Sequence, residues 1–180
     1  MFPDRTLILG GARSGKSAFA ERLAGRCAEE DSARVYLATA EAGDAEMQAR
    51  IEAHLAQRGT GWRTVEAPLD LPEALGRART DASVVLVDCL TLWLSNLMLA
   101  ERDWTAAADA LAEVLSGSGA PVIMVSNEVG LGLVPDNALG REFRDAQGAL
   151  NQKIAQYCDY VAFVAAGLPM TLKGRPPEGI

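Results

Sequence analysis

The run Gly10-Gly11-Ala12-Arg13-Ser14-Gly15-Lys16-Ser17 constrains this chain more than any other stretch of it. It fits Gly-x-x-x-x-Gly-Lys-Ser/Thr at every fixed position. The strand-like Leu7-Ile8-Leu9 precedes it, and a helical pattern follows from about Gly15. In that setting the glycines let backbone N–H groups turn inward around an anion. The start of the helix adds unpaired donors and a partial positive charge. Lys16 is then placed to reach the β- and γ-phosphates of a nucleoside triphosphate, and the Ser17 hydroxyl to ligate Mg2+. The competing reading is a glycine-rich turn without a ligand.

The rest of the chain supplies a matching framework. Residues 7–9, 35–37, 84–87, 122–125 and 161–164 form apolar, β-branched runs. They are continuous rather than alternating, as in strands covered on both faces. Trp62 to Glu66 adds a short strand. Helical patterns fall at 15–27, 44–57, 72–79, 90–115 and 139–157. This alternation predicts an α/β fold with a mostly parallel sheet and helices on both faces. The tail 169–180 is rich in Pro and Gly and reads as loop. No linker or repeat divides the 180 residues, so one domain spanning 1–180 is expected.

Composition narrows the partners. The net charge is −7 and no long Lys/Arg run offsets it, which argues against nucleic acid. Cys27, Cys89 and Cys158 are odd in number and form no Cys-x-x-Cys pair, so neither a disulfide framework nor a zinc site is expected. A reduced, cytoplasmic setting follows. The start of the chain lacks a signal-peptide pattern. The apolar stretch 90–100 contains Thr91, Ser95 and Asn96 and is too short and polar to span a bilayer.

Two further features carry chemistry. The run Val84-Val85-Leu86-Val87 ends in Asp88, as a second strand does when it brings a carboxylate to Mg2+; a buried strand can also end in Asp for no such reason. His54 is the only histidine, beside an apolar stripe of Met47, Ile51 and Leu55 on a helix that Asp44 is suited to cap. Arg50 and Arg58 lie four residues to either side. Neighbouring arginines disfavour the imidazolium and can hold phosphate oxygens, leaving a neutral, nucleophilic ring nitrogen able to attack an α-phosphate. A structural or solvated histidine is the alternative.

Taken together, these elements resemble the bifunctional adenosylcobinamide kinase/adenosylcobinamide-phosphate guanylyltransferase family of the cobalamin pathway. The likeness rests on the loop from Gly10 to Ser17, Tyr36-Leu37-Ala38-Thr39-Ala40, residues 44–54 with Glu46-Met47 and Arg50-Ile51, and Trp62-Arg63-Thr64-Val65-Glu66. It continues through Ser126-Asn127-Glu128-Val129-Gly130, Val134-Pro135-Asp136-Asn137, Arg141-Glu142-Phe143-Arg144-Asp145, Gly148 and Asn151-Gln152. The resemblance implies a RecA-like P-loop NTPase fold and a homotrimer. It implies phosphorylation of adenosylcobinamide by ATP or GTP, then transfer of GMP from GTP to the product through a guanylylated histidine, here His54. Many relatives carry a second histidine directly before it; here that place is Ala53. By position, Gly10, Gly11, Ala12, Arg13, Ser14, Gly15, Lys16 and Ser17 hold phosphates. Thr39, Ala40, Glu41, Leu55, Ala56, Gln57, Arg58, Glu66 and Asp88 line the guanine-nucleotide site. Lys16 and His54 are the expected catalytic residues, with Ser17 and Asp88 on Mg2+.

Two clusters stay open. Leu92, Trp93, Leu94, Leu97 and Met98 read as core helix or subunit interface. Arg141, Arg144 and Asp145 read as a solvated helix face or as a corrinoid or subunit contact. Other classes explain less. A P-loop kinase of another small molecule leaves the arginine-flanked His54 without a task. A GTP switch usually carries Asn-Lys-x-Asp, which is absent from this chain. A motor ATPase acting on nucleic acid conflicts with the acidic balance.

Overall fold

A computed structural model describes residues 2–27, 33–40 and 61–177. The chain forms β1 (Arg5–Gly10), α1 (Lys16–Cys27), β2 (Arg34–Ala38), β3 (Trp62–Glu66), α2 (Leu71–Asp81), β4 (Val84–Asp88), α3 (Leu90–Leu99), α4 (Trp104–Ser116), β5 (Val122–Asn127), α5 (Ala138–Tyr157), β6 (Tyr160–Ala165) and β7 (Leu168–Lys173). All seven strands join one sheet in the order β3-β2-β4-β5-β1-β6-β7. Every neighbouring pair is parallel except β6 and β7.

The continuous apolar runs are strands because both sheet faces are covered. Leu7, Val35, Leu37, Val85, Val87, Val122 and Met124 point into one core with α2, α3, α4 and α5. Ile8, Tyr36, Val84, Leu86, Ile123 and Val125 point into a second core, where α1 supplies Phe19, Ala20, Leu23 and Ala24. Trp93, Leu94 and Leu97 are at most 1% exposed, so the apolar stretch of α3 belongs to the core. The Trp93 indole N–H is satisfied by the Leu69 carbonyl at 2.8 Å.

Two expectations fail. The helix expected over 90–115 is two helices. α3 closes through Ala100, Glu101 at φ 53° and a bond from the Arg102 N–H to the Leu97 carbonyl. Asp103 then caps α4, accepting from the Thr105 and Ala106 N–H groups. These local bonds satisfy the helix ends and displace the continuous ladder. The tail expected as loop from Pro169 onward instead contains β7. Ala166 (φ 52°) and Gly167 (φ 78°) form a two-residue turn whose left-handed backbone matches strand twist, returning the chain antiparallel along β6. Pro169 is tolerated because β7 is an edge strand.

A buried arginine fastens the opposite end of the sheet. Arg79 Nε donates to the Ala120 carbonyl at 3.0 Å, and Nη1 to the Val114 carbonyl at 2.6 Å. The positive group thereby meets the last turn of α4 at the Val114 carbonyl and the segment before β5 at Ala120.

Candidate functional site

The site grows from the carboxyl ends of the parallel strands. Ala38 of β2 pairs with Glu66 of β3 on one side and with Asp88 of β4 on the other. Gly10 of β1 pairs with Asn127 of β5. Strand alternation puts Gly10, Ala38, Glu66, Asp88 and Asn127 on the same sheet face as Ile8, Tyr36, Leu86 and Val125, the face that carries α1. Lys16 and Ser17 open α1 on that face.

The loop between β1 and α1 is shaped by close contacts. A Cβ on Gly10 would stand 2.5 Å from Ser14 Oγ and 2.6 Å from the Val164 carbonyl oxygen, so only glycine fits. Gly15 has φ 94°, and a Cβ there would stand 3.0 Å from Gly167 Cα. Arg13 is left-handed at φ 55°. The Ser14 N–H donates to the Gly11 carbonyl, and the Gly167 N–H to the Ser14 carbonyl at 2.8 Å. Lys16 Nζ donates to the Gly11 carbonyl at 3.0 Å, which folds the side chain back over the loop. Burial lowers the Lys16 pKa from its ordinary value, while the nearby Asp88 carboxylate acts the other way, as would a Cys89 thiolate. Burial pushes the Cys89 thiol up to about 12, however, so it stays protonated.

Asp88 is held from behind. The Thr39 hydroxyl, fully buried, accepts from the Cys89 N–H at 2.8 Å and donates to the Cys89 carbonyl at 2.7 Å. The Thr39 N–H donates to the Asp88 carbonyl at 3.2 Å. Asn96 Nδ2 donates to the Thr39 carbonyl at 2.8 Å. Thr39, expected to line the nucleotide site, thus fixes the backbone beside Asp88 with its side chain.

The structure therefore brings together Gly10, Gly11, Ala12, Arg13, Ser14, Gly15, Lys16 and Ser17, with Asp88, Thr39 and Ala40 at the neighbouring strand ends. Glu66 lies at the same edge, exposed, on the outermost strand. Glu41, His54, Leu55, Ala56, Gln57 and Arg58 lie outside the described residues. The hydroxyl of Ser17 and the carboxylate of Asp88 are hard oxygen donors on one face, a set suited to Mg2+, which takes few protein ligands and keeps water and phosphate oxygens for the remainder. Among the described residues no group of three His, Cys, Asp or Glu could hold a metal by itself. Sequence reasoning gave Asn127 no role: Ser126 separates it from the apolar run Val122 to Val125, whereas Asp88 directly follows its own run.

Of the remaining polar cluster, Arg144 pairs with its neighbour Asp145 at 3.3 Å and Arg141 Nη1 donates to the Pro135 carbonyl at 3.0 Å. Both bonds stay within α5 and the segment leading into it.

The family model for cobinamide kinase / cobinamide phosphate guanyltransferase matches residues 6–172. The chain belongs to this family. It is 51% identical over 174 residues to the bifunctional adenosylcobalamin biosynthesis protein CobP of Pseudomonas aeruginosa, covering 96% of this chain and 99% of that protein. It is 39% identical to CobU of Escherichia coli K12, covering 93% and 98%. Among solved structures, the flagellar accessory protein FlaH of Methanocaldococcus jannaschii superposes with a TM-score of 0.54 at 13% identity, covering 96% of this chain and 79% of that one. A KaiC-like protein of Pyrococcus horikoshii OT3 gives 0.53 at 16% identity, covering 89% and 70%. These two support the RecA-like P-loop fold alone. Family membership establishes the two activities, kinase and guanylyltransferase, of cobalamin biosynthesis.

Proposed function

We propose that one nucleotide site serves both activities, with the loop from Gly10 to Ser17 holding phosphates and His54 carrying GMP between substrates. The observation that supports this most is the single sheet edge that gathers the loop, Lys16 and Asp88 on the α1 face. Lys16 neutralises charge on the β- and γ-phosphates once it swings off the Gly11 carbonyl. Ser17 and Asp88 hold Mg2+, which supplies further charge neutralisation when bound. Thr39, Ala40, Glu41, Leu55, Ala56, Gln57, Arg58 and Glu66 border the guanine nucleotide.

In the kinase step, the aminopropanol hydroxyl of adenosylcobinamide attacks the γ-phosphorus of ATP or GTP, and the bond to the bridging oxygen breaks. In the second step, a ring nitrogen of His54 attacks the α-phosphorus of GTP and pyrophosphate leaves. The substrate phosphate oxygen then attacks the same phosphorus, the P–N bond breaks, and adenosylcobinamide-GDP forms. Arg50 and Arg58 keep the imidazole neutral before attack.

The functional unit is a cytoplasmic homotrimer. The exposed apolar side chains of Leu131 (81%), Leu133 (95%) and Leu139 (60%) support association. Among the described residues no helix is long and apolar enough to cross a membrane.

GTP labelled at the α-phosphate tests the histidine. Acid-labile, base-stable label on the wild-type protein and none on His54→Ala is the expected result. Equal labelling of both, or of neither with GTP still bound, contradicts a guanylylated His54.

A further inference from the structure

Asn127 closes β5, the strand that lies between β1 with its phosphate loop and β4 with Asp88. Its main chain is pinned on both sides by side chains. The Asn127 N–H donates to Thr91 Oγ1 at 2.7 Å, and its carbonyl accepts from Asn151 Nδ2 at 3.0 Å. Behind the sheet, a buried polar cluster holds the strand end. Ser126 Oγ donates to Asn151 Oδ1 at 2.6 Å, and Gln147 Nε2 donates to both at 3.0 Å. The next residue, Glu128, donates its N–H to the Gly10 carbonyl at 3.1 Å.

The side chain is used for none of this. Its Oδ1 is buried and, among the described residues, has no hydrogen-bond partner. Alternation turns it to the α1 face with Val125, opposite the polar cluster, beside Gly10 and on the same face as Asp88. A buried amide oxygen with no partner is unusual, and at a phosphate site it points to a ligand. A carboxamide has two donors at one end and an acceptor at the other, and a half-turn about Cβ–Cγ exchanges them.

We propose that the Asn127 carboxamide is a contact to the transferred γ-phosphoryl group in the kinase step. Its NH2 donates to a γ-phosphoryl oxygen, and its oxygen accepts from the incoming substrate hydroxyl. As the hydroxyl oxygen bonds to the γ-phosphorus, the bond to the β–γ bridging oxygen breaks and the nucleoside diphosphate leaves. The hydroxyl proton passes through a phosphoryl oxygen to solvent; the amide gains and loses none. The pinned backbone fixes the amide before the substrate arrives, so little reorganisation accompanies transfer.

The two activities provide an internal control, because guanylyl transfer breaks the α–β linkage and leaves the γ-phosphorus untouched. Asn127→Ala and the near-isosteric Asn127→Asp are compared with wild type in three assays: phosphorylation of adenosylcobinamide, GMP transfer to separately prepared adenosylcobinamide phosphate, and GDP binding. Removal of a donor aimed at developing charge lowers rate by about a hundredfold. The expected result for Asn127→Ala is a fall of that order in kinase kcat, with GDP affinity and GMP transfer within about threefold of wild type. Asn127→Asp, which sets a carboxylate against the phosphoryl group, falls at least as far and keeps the fold should the alanine variant lose it. A kinase kcat within threefold of wild type in both variants overturns the proposal. So does a parallel loss of both transfers and of GDP binding in Asn127→Asp.

Discussion

The Gly167 N–H donates to the Ser14 carbonyl at 2.8 Å, joining the turn between β6 and β7 to the middle of the phosphate loop. The same turn stands against Gly15, where an added Cβ would lie 3.0 Å from Gly167 Cα. The hairpin at the sheet edge thus acts as a backstop for the loop, and its position depends on two backbones approaching without side chains between them.

Gly15→Ala meets both a φ of 94° and that contact. Holding alanine in such backbone costs about 1–3 kcal/mol. A lower thermal midpoint and weaker GDP binding are expected together, measured by calorimetry and titration. Gly11, around which a Cβ would meet nothing within 4 Å, is the comparison site, and Gly11→Ala is expected to be milder.

Thr39→Val keeps the shape of a fully buried side chain but removes the hydroxyl that bridges the Cys89 N–H and carbonyl. Leaving buried polar groups unpaired costs about 1–3 kcal/mol each. Urea unfolding is expected to show a loss of about 3 kcal/mol. Kinase activity is expected to fall as well, because the Asp88 backbone loses its rear support.

Acid stability should carry the signature of Asp159. Hydrogen bonding from the Arg5 side chain holds this carboxyl below its ordinary value of 3.8. A depressed folded-state pKa gives stability that is complete above the unfolded value and disappears as pH falls through the folded one. The paired carboxyl is 41% exposed, so the contribution is at most about 1 kcal/mol. Asp159→Asn is expected to lower stability at neutral pH and flatten the loss between about pH 5 and pH 2, read from denaturant midpoints.

Much of this fold was legible because burial on both faces leaves strands as continuous apolar runs, as in Val84 to Val87 and Val122 to Val125. The loop from Gly10 to Ser17 was legible because phosphate contact limits residue choice at fixed spacing. The break between α3 and α4 was hidden because Leu90 to Ala100 and Trp104 to Leu115 are both helix-forming. Its only local mark was Asp103 two residues before Thr105. β7 was hidden by Pro169 and by the Pro/Gly-rich residues after it, although Leu168, Met170 and Leu172 alternate as an edge strand does. Asn127 escaped assignment for a different reason. The register of β1 with β5 is what sets it beside Gly10, and that register is tertiary information.

A shared phosphate loop is tested most directly by Lys16→Ala. Its Nζ bonds only to the Gly11 carbonyl among the described residues, so the fold should survive its loss. Both activities are measured on the same preparation, the second with separately prepared adenosylcobinamide phosphate. One loop serving both transfers predicts that kcat/KM for kinase and guanylyl transfer falls together, by about a hundredfold or more. Guanylyl transfer within about threefold of wild type, beside a failed kinase step, would contradict it and place GTP for the second reaction in a site of its own.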